Sequence, residues 1–256
     1  MRRLIAALSL AALMVAPASE AAEDLDRTWR NGPVYLPDQP NVRVEEVDDL
    51  LGHQKTRWPV IIFLHGCRGL SGNLPQLNPI RKQINDAGFA IVAPDSFARP
   101  GRPKGCPERE INWSILDMRV EEIEYAVAKV RQMPWADPNN VFLWGQSEGG
   151  QAVAMYGGND VNAMVISGWE CPTFWLNSPR ERQLSIRADK SIPVLNIKSS
   201  NDPVSTYRDT CARFLVGRPE GSRVLDNGAP QHWLLSFPDV LNAMLEFFSK
   251  YRKPAP

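Results

Sequence analysis

An excess of charge of either sign is missing: 29 Lys and Arg stand against 29 Asp and Glu, a formal net charge of zero over 256 residues. A polyanionic partner normally demands a basic face, so this balance argues against nucleic acid. Histidine is scarce, with His53, His65 and His232 the three in the chain, so any imidazole chemistry has few candidates. Cysteine is scarce too. Cys67, Cys106, Cys171 and Cys211 are the four, and none has the close Cys-x-x-Cys spacing of common zinc sites, which argues against a metal. After the first two dozen or so residues no apolar run approaches the roughly 20 needed to span a bilayer. No stable membrane association is therefore expected. Internal repeats and low-complexity segments are also lacking, which sets aside solenoids and disordered tails.

The N-terminus departs from the ordinary composition of the rest. Arg2 and Arg3 precede an apolar run from Leu4 to Val15, and small residues follow at Ala16-Pro17-Ala18 and Ser19-Glu20-Ala21. A short basic region, an apolar stretch of about a dozen residues and an Ala-x-Ala-like site form the pattern of a secretory signal peptide. Residues 1–22 are read as that leader, with cleavage near 18–22, and residues 23–256 as a single domain in the periplasm or secreted. In an oxidising compartment the four cysteines form two disulfides, for which the spacing leaves three connectivities open.

From Trp58 onward, apolar runs alternate with helical periodicity. Val60–Leu64, Phe89–Ala93, Val141–Trp144, Ala163–Ser167 and Ile192–Ile197 are short, β-branched and apolar, as expected of strands buried on both faces, and Val224-Leu225 is a short sixth. Helices are predicted around Leu77–Ala87, over Leu116–Val130, where apolar residues step by four, three, four and three, and in the last turns from Leu241 to Tyr251. Residues Ala22 to Thr56 are polar, with weak strands at Val34–Leu36 and Val42–Val47. The fold class is α/β: a mostly parallel central sheet with helices on both faces. Ligands bind such sheets beyond the carboxyl ends of the strands, so the reactive residues to find are those just after strands.

Gly145-Gln146-Ser147-Glu148-Gly149 follows one of these strands and precedes a small-residue helix. A G-x-S-x-G pattern arises by composition in about one chain in ten of this size, so its context carries the weight. Glycines permit a sharp strand-to-helix turn from which Ser147 projects as a nucleophile. A serine hydroxyl needs a base, and the acid and the histidine should follow it in that order. His232 is the histidine that follows Ser147, in the loop before the last helix. Nine Asp or Glu residues lie between them. Asp202, in the turn after Ile192–Ile197, is the candidate to orient the imidazole, with Asp226 in reserve. An acyl transfer also needs oxyanion donors. The N–H of Glu148 is one; the other is the N–H of Cys67, in His65-Gly66-Cys67-Arg68-Gly69 directly after Val60–Leu64. His65 then holds that loop and is not the base.

These residues carry a resemblance. His-Gly-Cys-Arg-Gly at 65–69, Pro94-Asp95-Ser96-Phe97 and Gly-Gln-Ser-Glu-Gly-Gly at 145–150 resemble the dienelactone hydrolase branch of the α/β-hydrolases, over about three quarters of the chain. That branch usually carries Cys as its nucleophile, where this chain has Ser147. The resemblance implies the hydrolase fold but not a lactone substrate. Ser147, Asp202 and His232 point to a carboxylic-ester hydrolase that needs no metal or organic cofactor, and loops too short for a large lid point to small esters. Peptidase or amidase activity on the same residues, and an inactive binding protein on the same fold, are the competing classes. The strand order of this fold also implies Cys67–Cys106 and Cys171–Cys211 pairing. Phe97, Trp113, Trp169, Phe174, Trp175 and Trp233, in or beside the loops Ser96–Trp113 and Trp169–Ser185, are expected to wall a small apolar pocket, with several of the rings serving as ordinary core.

Overall fold

The computed structural model describes residues 16–52, 56–106, 112–171, 185–204 and 211–254. Along them the chain forms α1 (Ala16–Arg30), β1 (Pro33–Tyr35), β2 (Val42–Arg43), α2 (Val47–Leu51), β3 (Trp58–Leu64), α3 (Gly69–Asp86), β4 (Ala90–Val92), α4 (Trp113–Val130), β5 (Ala136–Gln146), α5 (Glu148–Met155), β6 (Ala163–Ser167), β7 (Val194–Lys198), α6 (Ala212–Leu215), β8 (Arg223–Asp226) and α7 (Pro238–Lys250). One sheet holds the strands in the order β2-β1-β4-β3-β5-β6-β7-β8. Every neighbouring pair from β4 to β8 is parallel, while β1 runs antiparallel to both β2 and β4.

The period-2 geometry of a strand divides the apolar residues between two cores. Val60, Ile62, Leu64 and Leu143 face one side with Trp29 of α1, Leu116, Ile123 and Val127 of α4, and Val153 of α5. Ile61, Phe63, Phe142 and Trp144 face the other, with Leu77, Ile80 and Ile84 of α3 and Leu241, Met244 and Phe248 of α7. With both faces covered, a continuous apolar run is the only strand sequence the centre tolerates. The carboxyl ends of the strands then lead into His65, Asp95, Ser147, Gly168, Asp202 and the segment to His232 on one edge of the sheet.

Three stretches differ from the sequence reading. Within Ala22–Thr56, where only weak strands are predicted, α1 runs to Arg30. Its helix is held by the i,i+4 pairs Glu23–Arg27 and Asp26–Arg30, by Tyr125 Oη donating to Asp26 at 2.8 Å, and by Trp29 in the core. With Trp29 its one large buried apolar side chain, the helix offers little apolar stripe to read. The expected strand Val42–Val47 ends at Arg43, because the Glu46 carboxylate accepts from the Arg43 N–H at 2.7 Å and turns the chain into a 3-10 turn and α2. The helix expected from Leu77 begins at Gly69 instead, with Pro75 and Pro79 inside it. Leu70, Leu77, Ile80 and Ile84 form its buried stripe, and that burial outweighs the two prolines.

Cys67 is bonded to Cys106 and Cys171 to Cys211, with Cα separations of 4.8 and 5.0 Å. These are the pairs that the fold resemblance implies. Each closes a loop of about 40 residues, which restricts the unfolded chain and contributes roughly 2–4 kcal/mol. Replacing Cys171 and Cys211 together by Ser is expected to lower the unfolding free energy by about that amount, read from urea titration. A loss under about 0.5 kcal/mol would show that this bridge leaves the unfolded ensemble unchanged.

Candidate active site

Ser147 sits between β5 and α5 with φ 56° and ψ −116°, a conformation that costs a residue with a side chain about 1–3 kcal/mol. Its backbone N–H donates to Ser167 O at 2.8 Å, which pins the strained turn to the end of β6. The flanking glycines answer to close approach: a Cβ on Gly145 would lie 2.1 Å from Gly149 O, and one on Gly149 would lie 2.0 Å from Leu64 O. Helix α5 therefore starts pressed against the end of β3, with its N-terminal partial positive charge beside Ser147.

Asp202 follows β7 in the turn Ser199-Ser200-Asn201-Asp202-Pro203. One carboxylate oxygen, Oδ1, accepts from the Val204 N–H at 2.8 Å, and Oδ2 lies 2.6 Å from His232 Nδ1. Because the carboxylate accepts, the imidazole proton belongs on Nδ1 and the lone pair on Nε2. That Nε2 is buried and has no hydrogen-bond partner among the described residues. The ring is seated against the elbow from two sides. Gln146 Nε2 donates to His232 O at 3.0 Å, and a Cβ on Gly168 would lie 3.1 Å from His232 Cε1. The Ser147 hydroxyl makes no hydrogen bond to His232 here; such bonds are often long in unliganded sites and tighten with substrate. Asp226 is occupied elsewhere, accepting from the Ser200 and Gly228 N–H groups at 2.9 and 3.1 Å. Gln146 is a residue that sequence reasoning passed over. Its one signal is its place before the serine, where a long amide reaches the loop of the histidine.

The loop after β3 flanks Ser147 on the other side. A Cβ on Gly66 would lie 3.3 Å from Ser147 Cβ, and the Gly66 N–H donates to Asn73 Oδ1 at 2.6 Å. Among the described residues, the backbone N–H groups of Cys67 and Glu148 have no internal acceptor. Behind the loop, His65 is fully buried with both ring nitrogens engaged. Its Nδ1–H donates to Gly66 O at 2.8 Å, while Nε2 accepts from the Ser96 N–H at 3.1 Å and faces Arg119 Nη1 at 3.2 Å. Arg119 Nη2 also donates to His65 O at 2.9 Å. Glu122 closes the network, accepting from Ser96 Oγ at 2.9 Å and pairing with Arg119 at 3.4 Å. Burial raises the pKa of its carboxyl, against the Arg119 cation.

The aromatic residues divide. Phe97 is half-buried, edge-on to His65 at 5.6 Å, with the Arg102 guanidinium 4.6 Å from its ring centre. Trp113 packs against the core at the start of α4. Trp169 lies in the same core, and Trp233 stands against Phe63 at 6.2 Å and Trp144 at 5.7 Å. Trp169 and Trp233 thus serve the two cores, since large rings at strand ends are drawn under the sheet edge. Phe174, Trp175 and His53 lie outside the described residues. Among the described residues no cluster of three or more His, Cys, Asp or Glu side chains has the placement to hold a metal.

A family model for the dienelactone hydrolase family matches residues 48–212, more than half of the chain. The chain belongs to the dienelactone hydrolase family. This hydrolase shares the α/β-hydrolase fold with solved structures at low identity. One is a putative dienelactone hydrolase from Klebsiella pneumoniae subsp. pneumoniae, 15% identical with a TM-score of 0.51, over 78% of this chain and 90% of that one. An acetyl xylan esterase from Paenibacillus sp. R4 is 15% identical with a TM-score of 0.57, over 91% and 93%. A thermophilic esterase from Thermogutta terrifontis with propionate bound is 15% identical with a TM-score of 0.56, over 88% and 90%. At these identities the likeness is one of fold. No curated protein matches the chain.

His65 gives this hydrolase a pH signature. Burial first, and the Arg119 cation second, hold its pKa well below 6.5, whereas the unfolded chain titrates near that value. Below about pH 6.5 the unfolded state binds a proton that the folded state does not. The stability contribution is therefore complete above that pH and declines as the pH falls through it. The gap in unfolding free energy between the wild type and His65→Asn is expected to shrink from about pH 7 to about pH 5, by up to about 1.4 kcal/mol per pH unit. A gap independent of pH would mean that the imidazole titrates alike in both states.

Proposed function

We propose that this hydrolase is an exported serine esterase that cleaves small carboxylic esters through an acyl-enzyme. The observation that carries this reading is the Asp202–His232 contact at 2.6 Å, which leaves a buried Nε2 with no partner among the described residues, on a histidine whose backbone is tied to Gln146, the residue before the strained Ser147. In it, His232 Nε2 takes the hydroxyl proton of Ser147 as Oγ attacks the ester carbonyl, and Asp202 stabilises the imidazolium that forms. The developing oxyanion is met by the N–H groups of Cys67 and Glu148, neither of which has an acceptor among the described residues. His232 then returns the proton to the leaving alcohol. Water attacks the acyl-enzyme with the same nitrogen as base, and Ser147 is regenerated.

Short acyl groups fit this reading. Residues 96–106 after β4 place Phe97 against His65 and tie Cys106 to Cys67, next to the glycine loop of the site. The fold neighbours point the same way, one holding propionate and another being an acetyl xylan esterase. Export fits the leader pattern of residues 1–22 and the two disulfides. No helix among the described residues is long and apolar enough to cross a membrane. In α1, Glu20 to Glu23 are exposed and the buried contacts begin at Thr28 and Trp29, so cleavage near Ala22 leaves the packed part of the helix in place.

Ser147→Ala is expected to abolish labelling by a fluorophosphonate probe and to lower kcat by several orders of magnitude, with His232→Ala at a similar floor. On p-nitrophenyl esters, kcat/KM should be highest for acetate to butyrate and fall toward palmitate; a steady rise with chain length would sink the small-acyl reading. N-terminal sequencing of the exported protein should begin between residues 19 and 23, and an intact Met1 in the mature form would contradict the leader.

A further inference from the structure

The strap between β4 and α4 carries two fastenings that the catalytic residues do not explain. Cys106 is bonded to Cys67. Four residues earlier, the buried guanidinium of Arg102 ends on the carboxylate of Glu148, with side-chain exposures of 0% and 9%. The other two nitrogens of Arg102 are also engaged. Its Nε donates to Ser96 Oγ and Nη1 to Pro103 O, both at 2.5 Å, and its flat face lies 4.6 Å from the Phe97 ring centre. Ser96 Oγ passes the connection on to Glu122, which pairs with Arg119 and so reaches the His65 loop.

A buried ion pair is weak evidence for stability, since desolvating two charges offsets most of their attraction. What the pair does supply is a fixed, planar hold on one residue. Cys67 and Glu148 are the two residues whose free N–H groups flank Ser147, and they come from different strand ends. One segment, Arg102 to Cys106, is tied to both: covalently to the first, by an ion pair to the second.

We propose that Arg102 is a positioning residue for the oxyanion hole, holding the Glu148 peptide in register with the Cys67 peptide through the strap they share. The inference rests on the serine esterase reading above. Arg102 touches neither substrate nor nucleophile. Holding the Glu148 side chain stops rotation of the first peptide of α5, so its N–H converges with that of Cys67 on the point where charge develops. A misplacement of about 1 Å at such a donor is enough to cost about 100-fold in rate.

The test uses full-length mature protein and the variants Arg102→Met, Arg102→Lys and Glu148→Gln. The measurements are urea unfolding, fluorophosphonate labelling, kcat and KM on p-nitrophenyl acetate, and inhibition by a trifluoromethyl ketone. Arg102→Met is expected to lower kcat about 10- to 100-fold with KM within about 3-fold. It should weaken the ketone, which forms an oxyanion on Ser147, by the same factor as kcat/KM. Arg102→Lys should recover part of both, because it keeps the charge but not the fork. Glu148→Gln, which preserves shape, should reproduce the loss, and the double variant should be no worse than either single one. If Arg102→Met does not fold, Glu148→Gln carries the same comparison. Unchanged ketone affinity in folded, labelled variants overturns the proposal, as does a rise in KM with kcat intact. Failure of the probe to label the wild type would instead overturn the esterase reading beneath it.

Discussion

Strand β3 lies in parallel register against β5, with Val60 opposite Val141 and Leu64 opposite Gly145, and the site depends on that pairing. Both strands are buried on both faces, so their register cannot slip by one residue without exchanging the two cores. The pairing brings the ends of the two strands level. One end releases the chain into the His65 loop, the other into the strained turn at Ser147. The approach is so close that Gly149 has no room for a Cβ beside Leu64 O. Everything that surrounds the serine is hung from this junction: Ser167 O through the next pairing outward, Asp202 from β7, and His232 from the segment after β8.

The polar groups behind the junction are as tightly specified as the apolar ones. His65, Ser96, Arg102, Arg119, Glu122 and Glu148 form one connected set, and Arg119 and Glu122 are both essentially inaccessible. A half-satisfied network of this kind would be worse than an apolar core. Here the terminal nitrogens of Arg119 reach the His65 carbonyl and ring and Glu122 takes the Ser96 hydroxyl, while Arg119 Nε is buried without a partner among the described residues. The result is a stiff base beneath the loop that the proposed mechanism uses for an oxyanion donor.

Much of this was legible in the residues. The apolar runs from Val60 to Ile197 are strands because nothing else in the chain is short, β-branched and continuous, and the helix over Leu116–Val130 repeats its apolar stripe. The elbow, Asp202 and His232 follow from chain order after those strands, and the structure puts Asp202 and His232 in contact. What was not legible depends on contacts distant in sequence. Helix α1 has one large anchor, Trp29, whose burial needs a core built from other strands. Helix α3 contains two prolines, and only packing of Leu77, Ile80 and Ile84 shows why it continues through them. The links from Gln146 to His232 and from Arg102 to Glu148 span 86 and 46 residues, beyond any local pattern. Which of the rings named as pocket walls serve as core was left open for the same reason: a ring after a strand faces the site or tucks beneath it according to neighbours that the sequence does not name.

Strand β8 has one neighbour, β7, and none of its four residues is fully buried. Segments with few buried contacts open at a lower free energy than the core they adjoin. His232 follows this strand, whereas Ser147 sits at the centre of the sheet. On the proposed serine esterase reading, the two halves of the chemistry are therefore held with different firmness. Fraying at one margin of the sheet would withdraw the imidazole while β3, β5 and both apolar cores stay folded. Warming the protein would then silence it reversibly, well short of the temperature at which the molecule as a whole comes apart.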